Sequence, residues 1–382
     1  MNPRELLVVA GEASGDLHGA RLITELRRRV PDLTTFGLGG DEMRAAGLDA
    51  VAHSSEISVV GIVEVMKILP RAREVFADLL KEVDRRRPAM AVLIDFPDFN
   101  LRLARELKRR GLKVVYYISP QVWAWRRGRV KTISRLVDRM LVLFPFEVDF
   151  YRGHGVEVVH VGHPLVDEVP ALPQRWERGE PEGEPYRVAL LPGSRLSEVE
   201  ALLPSLLESV RLLADELPIE AHIIRAPTIP REILEEAVAL SGLPVRIVDE
   251  DRFAAVADSH VAICASGTAT LEVGLLGTPM VMVYRLAPWT YAMAKLLVRL
   301  PYVSLVNLVL DRKVVPELLQ GGAHPERIAV EAERLLTNAG ARDVMRNALA
   351  EVRGRLGKGG ASGRAADEVA ATLADILEAS RN

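Results

Sequence analysis

Short runs of β-branched and leucine residues alternate along this chain with longer stretches whose apolar positions recur every three or four residues. In the first half the spacing predicts strands at 6–10, 34–38, 91–95, 113–118, 140–144 and 156–161, with helices at 17–29, 64–86 and 100–111 between them. Gly111 stands where the last of these helices needs a terminator. From 170 to 186 the periodicity stops in a Pro-, Gly- and Glu-rich stretch that reads as a linker. It then restarts, with strands at 187–191, 219–225, 245–248, 261–265 and 280–284 and helices at 197–216, 231–241 and 268–276. The last ~60 residues read as helices only. In the final one Val369, Leu373, Ile376 and Leu377 form one apolar stripe.

Strand and helix in regular alternation predict parallel sheets covered on both faces. The expected fold class is therefore α/β. It comprises two Rossmann-like doubly wound domains that face a central cleft, followed by a helical C-terminus. The boundaries expected are 1–168 for the first domain, 169–186 for the linker and 187–360 for the second domain. A C-terminal helix at about 361–382 is free to pack back on the first domain.

Composition agrees with this and narrows the chemistry. A chain of 382 residues exceeds what one hydrophobic core fills, and 49% hydrophobic with 26% charged residues is a globular balance. The net charge of −3 gives no global field toward nucleic acid, which is not expected as a partner. Cys264 is the single cysteine, so a disulfide within the chain and a Cys-based zinc site are both excluded. The histidines show no metal spacing, and neither a metal nor a cofactor is expected. The apolar run at 6–10 is too short and too soon followed by Glu12 for a signal peptide. With no span-length apolar stretch either, a cytoplasmic protein with at most peripheral membrane contact is expected.

Ligands of doubly wound sheets bind in the loops after strands, and five such loops carry chemistry. The run Ser266-Gly267-Thr268-Ala269-Thr270-Leu271-Glu272 ends a strand and opens a helix, whose N-terminus suits a diphosphate while Glu272 can reach a ribose diol. The same spacing also fits a simple capping box. Pro192-Gly193-Ser194-Arg195 is a second strand-to-helix turn, with Arg195 able to grip phosphate. After the first strand, Glu12, Ser14 and Asp16 offer acceptors that fit a hydroxyl-rich ligand better than a pyrophosphate; the alternative is a capped helix start with Ser14 or Asp16 as the cap. Asp95-Phe96-Pro97-Asp98 puts two carboxylates at a sheet edge, where a general base belongs. Finally, Gln121, Trp123 and Trp125 precede a basic run that includes Arg126 and Arg127, a composition suited to lipid headgroups or a phosphorylated sugar.

The segments GEASGD, GLGG, SVVGIVEV, IDFPDFN, YYISPQVWAW, LFPFE, VGHPL, LLPGSR, SGTATLE and SLVNLVLDRKVVPELLQ stand in this order between about residue 5 and residue 320. In that order they resemble the lipid A disaccharide synthase family. The resemblance implies a GT-B fold, with the acceptor in the first domain and the nucleotide-sugar in the second. It also implies an inverting transfer from UDP-2,3-diacylglucosamine to 2,3-diacylglucosamine 1-phosphate (lipid X), giving a β-1,6-linked disaccharide 1-phosphate and UDP. Asp98 in the PDF motif would then be the base. Glu12, Ser14, Asp16, Asp95, Gln121, Arg126 and Arg127 would lie on the acceptor side. Arg195, Ser266, Gly267, Thr268, Thr270, Glu272 and Asn307 would hold UDP. A homodimer is admitted by this sequence, not required by it. Two other readings share the architecture: a UDP-sugar 2-epimerase, and a non-catalytic lipid- or nucleotide-binding protein.

Substrates with two acyl chains imply work at a bilayer surface. The stretch 57–70 is too apolar for a solvated loop and too short to span, with Lys67, Arg71 and Arg73 beside it. Val59, Val63, Met66 and Leu69 are expected to face the membrane as an in-plane helix, at the cytoplasmic face of the inner membrane. The alternative is a helix that simply packs on the sheet.

Overall fold

The computed structural model describes residues 2–57, 62–124, 127–173, 183–286, 291 and 300–379. Its contacts divide the chain into two compact units, Met1–Pro164 with Lys358–Asn382, and Leu165–Gly357.

The first unit holds a parallel sheet built from β1 (Asn2–Ala10), β2 (Thr34–Gly39), β3 (Leu48–His53), β4 (Pro88–Ile94), β5 (Lys113–Tyr117), β6 (Arg139–Val142) and β7 (Val158–His160). Their spatial order is β3-β2-β1-β4-β5-β6-β7. The central strands β1 and β4 are the most continuous apolar runs; Leu6–Ala10 and Pro88–Ile94 are buried throughout. Such runs are what helices on both faces demand. The order reverses between β1 and β4, so the loops after these two strands open side by side at a topological switch point.

The helix Ala361–Ala379 belongs to this unit. It buries Ala361, Ala365, Val369, Leu373 and Ile376 along one stripe against the helix Ala13–Arg29. Ion pairs from Arg29 to Asp367 (2.5 Å) and from Arg139 to Glu368 (3.0 Å) fix its register, and Arg364 Nε donates to the Val161 carbonyl at 2.8 Å.

The second unit repeats the plan with β8 (Tyr186–Leu191), β9 (Ile219–Ile224), β10 (Arg246–Val248), β11 (Val261–Ala265), β12 (Met280–Tyr284) and β13 (Glu317–Leu319), in the order β10-β9-β8-β11-β12-β13. Every pairing is parallel, and the switch point lies between β8 and β11. The unit begins at Leu165, before the Pro/Gly/Glu-rich stretch, because Arg353 ties the chain there by donating to the Val166 and Val169 carbonyls at 3.0 Å each.

The helix expected at 64–86 runs from Ile62 to Arg86 with Pro70 inside it. Val75, Leu79 and Val83 are buried in the core of the first unit, with Ile68, Ala72, Phe76 and Leu80 packed on that core. Of the positions expected to face a membrane, Val59 lies outside the described residues, as do the side chains of Val63 and Met66, and Leu69 is half-buried. Among the described residues no helix is long and apolar enough to cross a membrane.

Candidate functional site

At the switch point of the first unit Ala10 pairs with Ile94, so Gly11 and Asp95 leave neighbouring strands together. The approach is close: a Cβ on Gly11 would lie 2.2 Å from the Phe96 ring, and any larger residue would push the two loops apart. Asp95 and Phe96 both hold left-handed backbone (φ 46° and 48°), a conformation that costs non-glycine residues about 1–3 kcal/mol and clusters at functional sites.

Several bonds hold it. The Asp95 N–H donates to the Tyr117 carbonyl at 3.0 Å, and the Asp95 carbonyl accepts from Tyr116 Oη and from Asn100 Nδ2. Asn100, fully buried, also donates to the Ile94 carbonyl. The Asp95 side chain stays half-buried above the sheet edge. Burial, and then the negative charge of Glu12, push its carboxyl up to about 6.

The other acceptor-side expectations divide. Glu12 and Ser14 are exposed, and Glu12, which precedes the helix Ala13–Arg29, caps nothing with its side chain. Asp16 is buried and turned inward. Its carboxylate accepts from the backbone N–H groups of Gly40 (2.6 Å), Glu42 (3.0 Å) and Met43 (3.1 Å), so it fixes the loop after β2 and the short helix Asp41–Ala45. Asp16→Ala should leave these donors unsatisfied and lower stability by about 2–4 kcal/mol, read as a drop in Tm; an unchanged Tm with lost acceptor binding would return Asp16 to the site.

Asp98, expected as the base, is 70% exposed in the first turn of the helix Pro97–Arg109, and Arg129 holds it at 2.7 Å. Gln121 is exposed in the turn after β5. Arg126 and the side chain of Arg127 lie outside the described residues. The spacing of motifs gave no sign of Tyr116 and Arg129 as supports of this edge, because each acts through a partner 21 or 31 residues away; Asn100 acts locally, on carbonyls five and six residues before it.

At the second switch point Leu191 pairs with Cys264, and the two loops expected to hold phosphate again open together. Gly267 (φ +128°) precedes the helix Thr268–Leu276, whose first-turn N–H groups at Thr268 and Ala269 point out of the helix end. Thr268 is exposed and Ser266 half-buried, whereas Thr270 is fully buried with Oγ1 donating to the Gly267 carbonyl at 2.8 Å. Thr270 therefore shapes the turn. Glu272 is half-buried, and its carboxyl lies above the usual range because burial outweighs the Arg252 charge, with Glu168 adding to the shift.

Arg195 opens the helix Leu196–Glu216 and is 67% exposed, with Nη1 3.1 Å from Glu198 Oε1. Oε2 of the same carboxylate accepts from the N–H groups of Ser194 and Arg195. Gly193 (φ +125°) is what lets the turn close over it, since a Cβ there would lie 2.6 Å from Glu198 Oε2.

Asn307 corrects an expectation. It is fully buried; Oδ1 accepts from the N–H groups of Val314 (2.8 Å) and Val315 (2.9 Å), and Nδ2 donates to the Val315 carbonyl (2.9 Å) and Glu317 Oε1 (2.8 Å). All four hydrogen-bonding positions of its amide are used within the chain. Its side chain staples the segment leading into β13.

Comparison with known proteins adds an independent line. The sequence model of the family described as lipid-A-disaccharide synthetase matches residues 6–369. The lipid-A-disaccharide synthase of Myxococcus xanthus is 47% identical over 373 residues, covering 96% of this chain and 97% of that protein. The protein of the same name from Koribacter versatilis is 42% identical over 381 residues, covering 98% and 99%. Among solved structures, Acinetobacter baumannii MurG superposes with a TM-score of 0.60 at 14% identity, covering 95% of this chain and 98% of that one. The UDP-GlcNAc 2-epimerase of Neisseria meningitidis does so with a TM-score of 0.59 at 12% identity, covering 97% and 100%. Likeness at that identity shows the fold alone, a GT-B fold that serves transferases and epimerases alike.

Proposed function

This chain belongs to the lipid-A-disaccharide synthetase family, and on that premise we propose how its two sheets divide the family's reaction. It is a UDP-sugar glycosyltransferase that forms the lipid A disaccharide, joining UDP-2,3-diacylglucosamine to lipid X with release of UDP. The first unit takes the acceptor at the end of β1 and β4, and the second takes the UDP moiety at the end of β8 and β11.

The observation that carries the acceptor assignment is the half-buried Asp95 carboxyl, whose proton affinity is tuned to about 6 by burial and Glu12. An inverting displacement needs one carboxylate to take the proton of the attacking 6-hydroxyl, and a base titrating near the working pH does so best. Asp98 stands one turn away, engaged by Arg129, and is assigned to holding that side of the edge. Glu12 and Gln121, both exposed, are assigned to sugar hydroxyls. The test is direct. Purified chain with UDP-2,3-diacylglucosamine and lipid X in mixed micelles should release UDP and disaccharide 1-phosphate in equal amounts. A product from UDP-2,3-diacylglucosamine alone, without lipid X, would point to isomerase or hydrolase chemistry instead.

The acyl chains of both substrates bring the enzyme to a bilayer surface, and we assign the contact to the apolar segment 57–69. Lys67 lies within it and Arg73 follows it, each worth about 1 kcal/mol against anionic headgroups when near the surface, while Arg71 is paired with Glu56 and Glu74. Substituting Val59, Val63, Met66 and Leu69 with Ser should release the protein from anionic vesicles in flotation while leaving Tm within a few degrees. A large fall in Tm, at about 2–5 kcal/mol per buried position, would make the segment a core helix and end this assignment.

A further inference from the structure

We propose that Glu147 is a positioning residue for the acceptor side of the reaction: one buried carboxyl group gathers Ser119, Trp123 and the Phe144 N–H, and so fixes the loop after β5 beside the strand end that carries Asp95. The inference rests on the acceptor lying at this edge.

Glu147 is buried in the first turn of the helix Pro145–Arg152. Its Oε2 accepts from the Phe144 N–H at 3.0 Å, which is the ordinary service of a capping residue, and Gln performs it as well. Its Oε1 does something a cap does not need. It accepts from Ser119 Oγ and, at 3.0 Å, from Trp123 Nε1, two side chains of a loop 24 to 28 residues earlier in the sequence. Around this centre Trp123 stands edge-on to Phe146 at 4.9 Å, Phe146 stacks on Phe144 at 5.3 Å, and His163 tilts against Phe144 at 5.1 Å.

The loop so held runs from Ile118, itself in left-handed backbone (φ 65°), to Ala124, and carries the exposed Gln121 at its turn. It leaves β5 one residue after Tyr117, whose carbonyl receives the Asp95 N–H. A shift of this loop therefore moves both Gln121 and the backbone anchor of Asp95. Burial pushes the Glu147 carboxyl up to about 7, against the hydrogen bonds that favour its ionised form. The titratable groups facing it are Tyr151 on its own helix, whose Oη donates to the Pro120 carbonyl, and His163 across Phe144, which burial holds neutral with a pKa of about 3. Neither changes charge between pH 6 and 8, so a transition in this range that Glu147→Gln abolishes belongs to Glu147. Protonation of Oε1 converts an acceptor oxygen into a donor, which the Ser119 hydroxyl can meet by accepting but the donor-only Trp123 indole N–H cannot, so the bond to Trp123 is weakened.

The measurement is the Michaelis constant for lipid X as a function of pH, with Glu147→Gln and Ser119→Ala beside the parent chain. At pH 8 the Gln variant should raise the acceptor KM about 10-fold, the loss of one charge-assisted bond, with the donor KM unchanged. Lowering pH from 8 to 6 should raise the acceptor KM of the parent more than that of the Gln variant, which keeps only the change due to Asp95 and the phosphate of lipid X. The indole emission lost in Trp123→Phe should titrate near pH 7 in the parent and not after Glu147→Gln. Ser119→Ala, which leaves the helix cap intact, should give a smaller rise in acceptor KM even if Glu147→Gln folds poorly. An unchanged acceptor KM in both variants would overturn the proposal, as would kcat and both KM values changing only in step with the folded fraction. A pH limb in kcat that survives Glu147→Gln reports the base separately, so failure of the Asp95 assignment leaves this result readable.

Discussion

Asp95→Asn should lower kcat by about 10²-fold or more, the usual contribution of a positioned general base, while Asp98→Asn should cost less than about 10-fold. Amide and carboxylate have the same shape, so the half-buried side chain and its left-handed backbone are kept. What is lost is the ability to take a proton. The base works ionised, so kcat in the parent should fall as pH drops through about 6, the value to which burial and Glu12 raise this carboxyl. Glu12→Gln removes the like charge but not the burial, and should move that acid limb to lower pH.

Stability runs the other way and checks the same carboxyl. A carboxyl whose folded pKa is raised binds its proton more tightly in the folded chain. Its contribution to stability is therefore full below the unfolded value of 3.8 and is lost as pH rises through about 6. Asp95→Asn should thus keep or slightly raise Tm at pH 8 while turnover collapses. If Asp98→Asn proved the more damaging change, the base would be Asp98, and Asp95 would be a strained support for it.

The choice between these two carboxylates shows what the sequence could and could not convey. Asp95-Phe96-Pro97-Asp98 announced a pair of acids at the end of a central strand, because the run before it is continuously apolar and a buried strand can be read from that alone. Which acid is half-buried and which meets Arg129 depends on a residue 31 positions away, and no local pattern carries that. The same limit applies to Asn307, whose four bonds close a staple with residues 314–317. An asparagine that binds its own chain looks in sequence like one that binds a ligand.

The strands missed were β3 and β13, both at sheet edges. Leu48–His53 mixes buried and half-exposed positions without clean alternation, and Glu317–Leu319 is only three residues long. Edge strands lack the two covered faces that make β1, β4, β8 and β11 legible. Four of the five loops chosen for chemistry, by contrast, open at switch points, and the fifth follows β5. That is a consequence of strand order, which the alternation of elements narrows to a few doubly wound arrangements.

On the donor side, Arg195→Ala should reduce kcat by about 10²-fold, the scale of removing one donor that meets charge developing in the transition state. As the bond to the anomeric carbon breaks, negative charge grows on the leaving diphosphate, so a guanidinium that touches it gains more in the transition state than in the ground state. In the unliganded chain that guanidinium lies against Glu198, 3.1 Å away, on a side chain 67% exposed and free to swing. Binding the diphosphate exchanges a surface ion pair, worth little in water, for a contact with a doubly charged leaving group beside the helix end at Thr268. Glu272→Ala should act differently. It removes a half-buried acceptor suited to the ribose diol, a contact present equally before and during transfer, so UDP affinity should fall about 10-fold, or 1.4 kcal/mol, with kcat little changed. Calorimetry of UDP binding beside steady-state kinetics separates the two effects. Normal UDP affinity in Glu272→Ala together with normal kcat in Arg195→Ala would show that the diphosphate and ribose do not sit at the β8–β11 switch point, and the donor assignment of this unit would have to be given up.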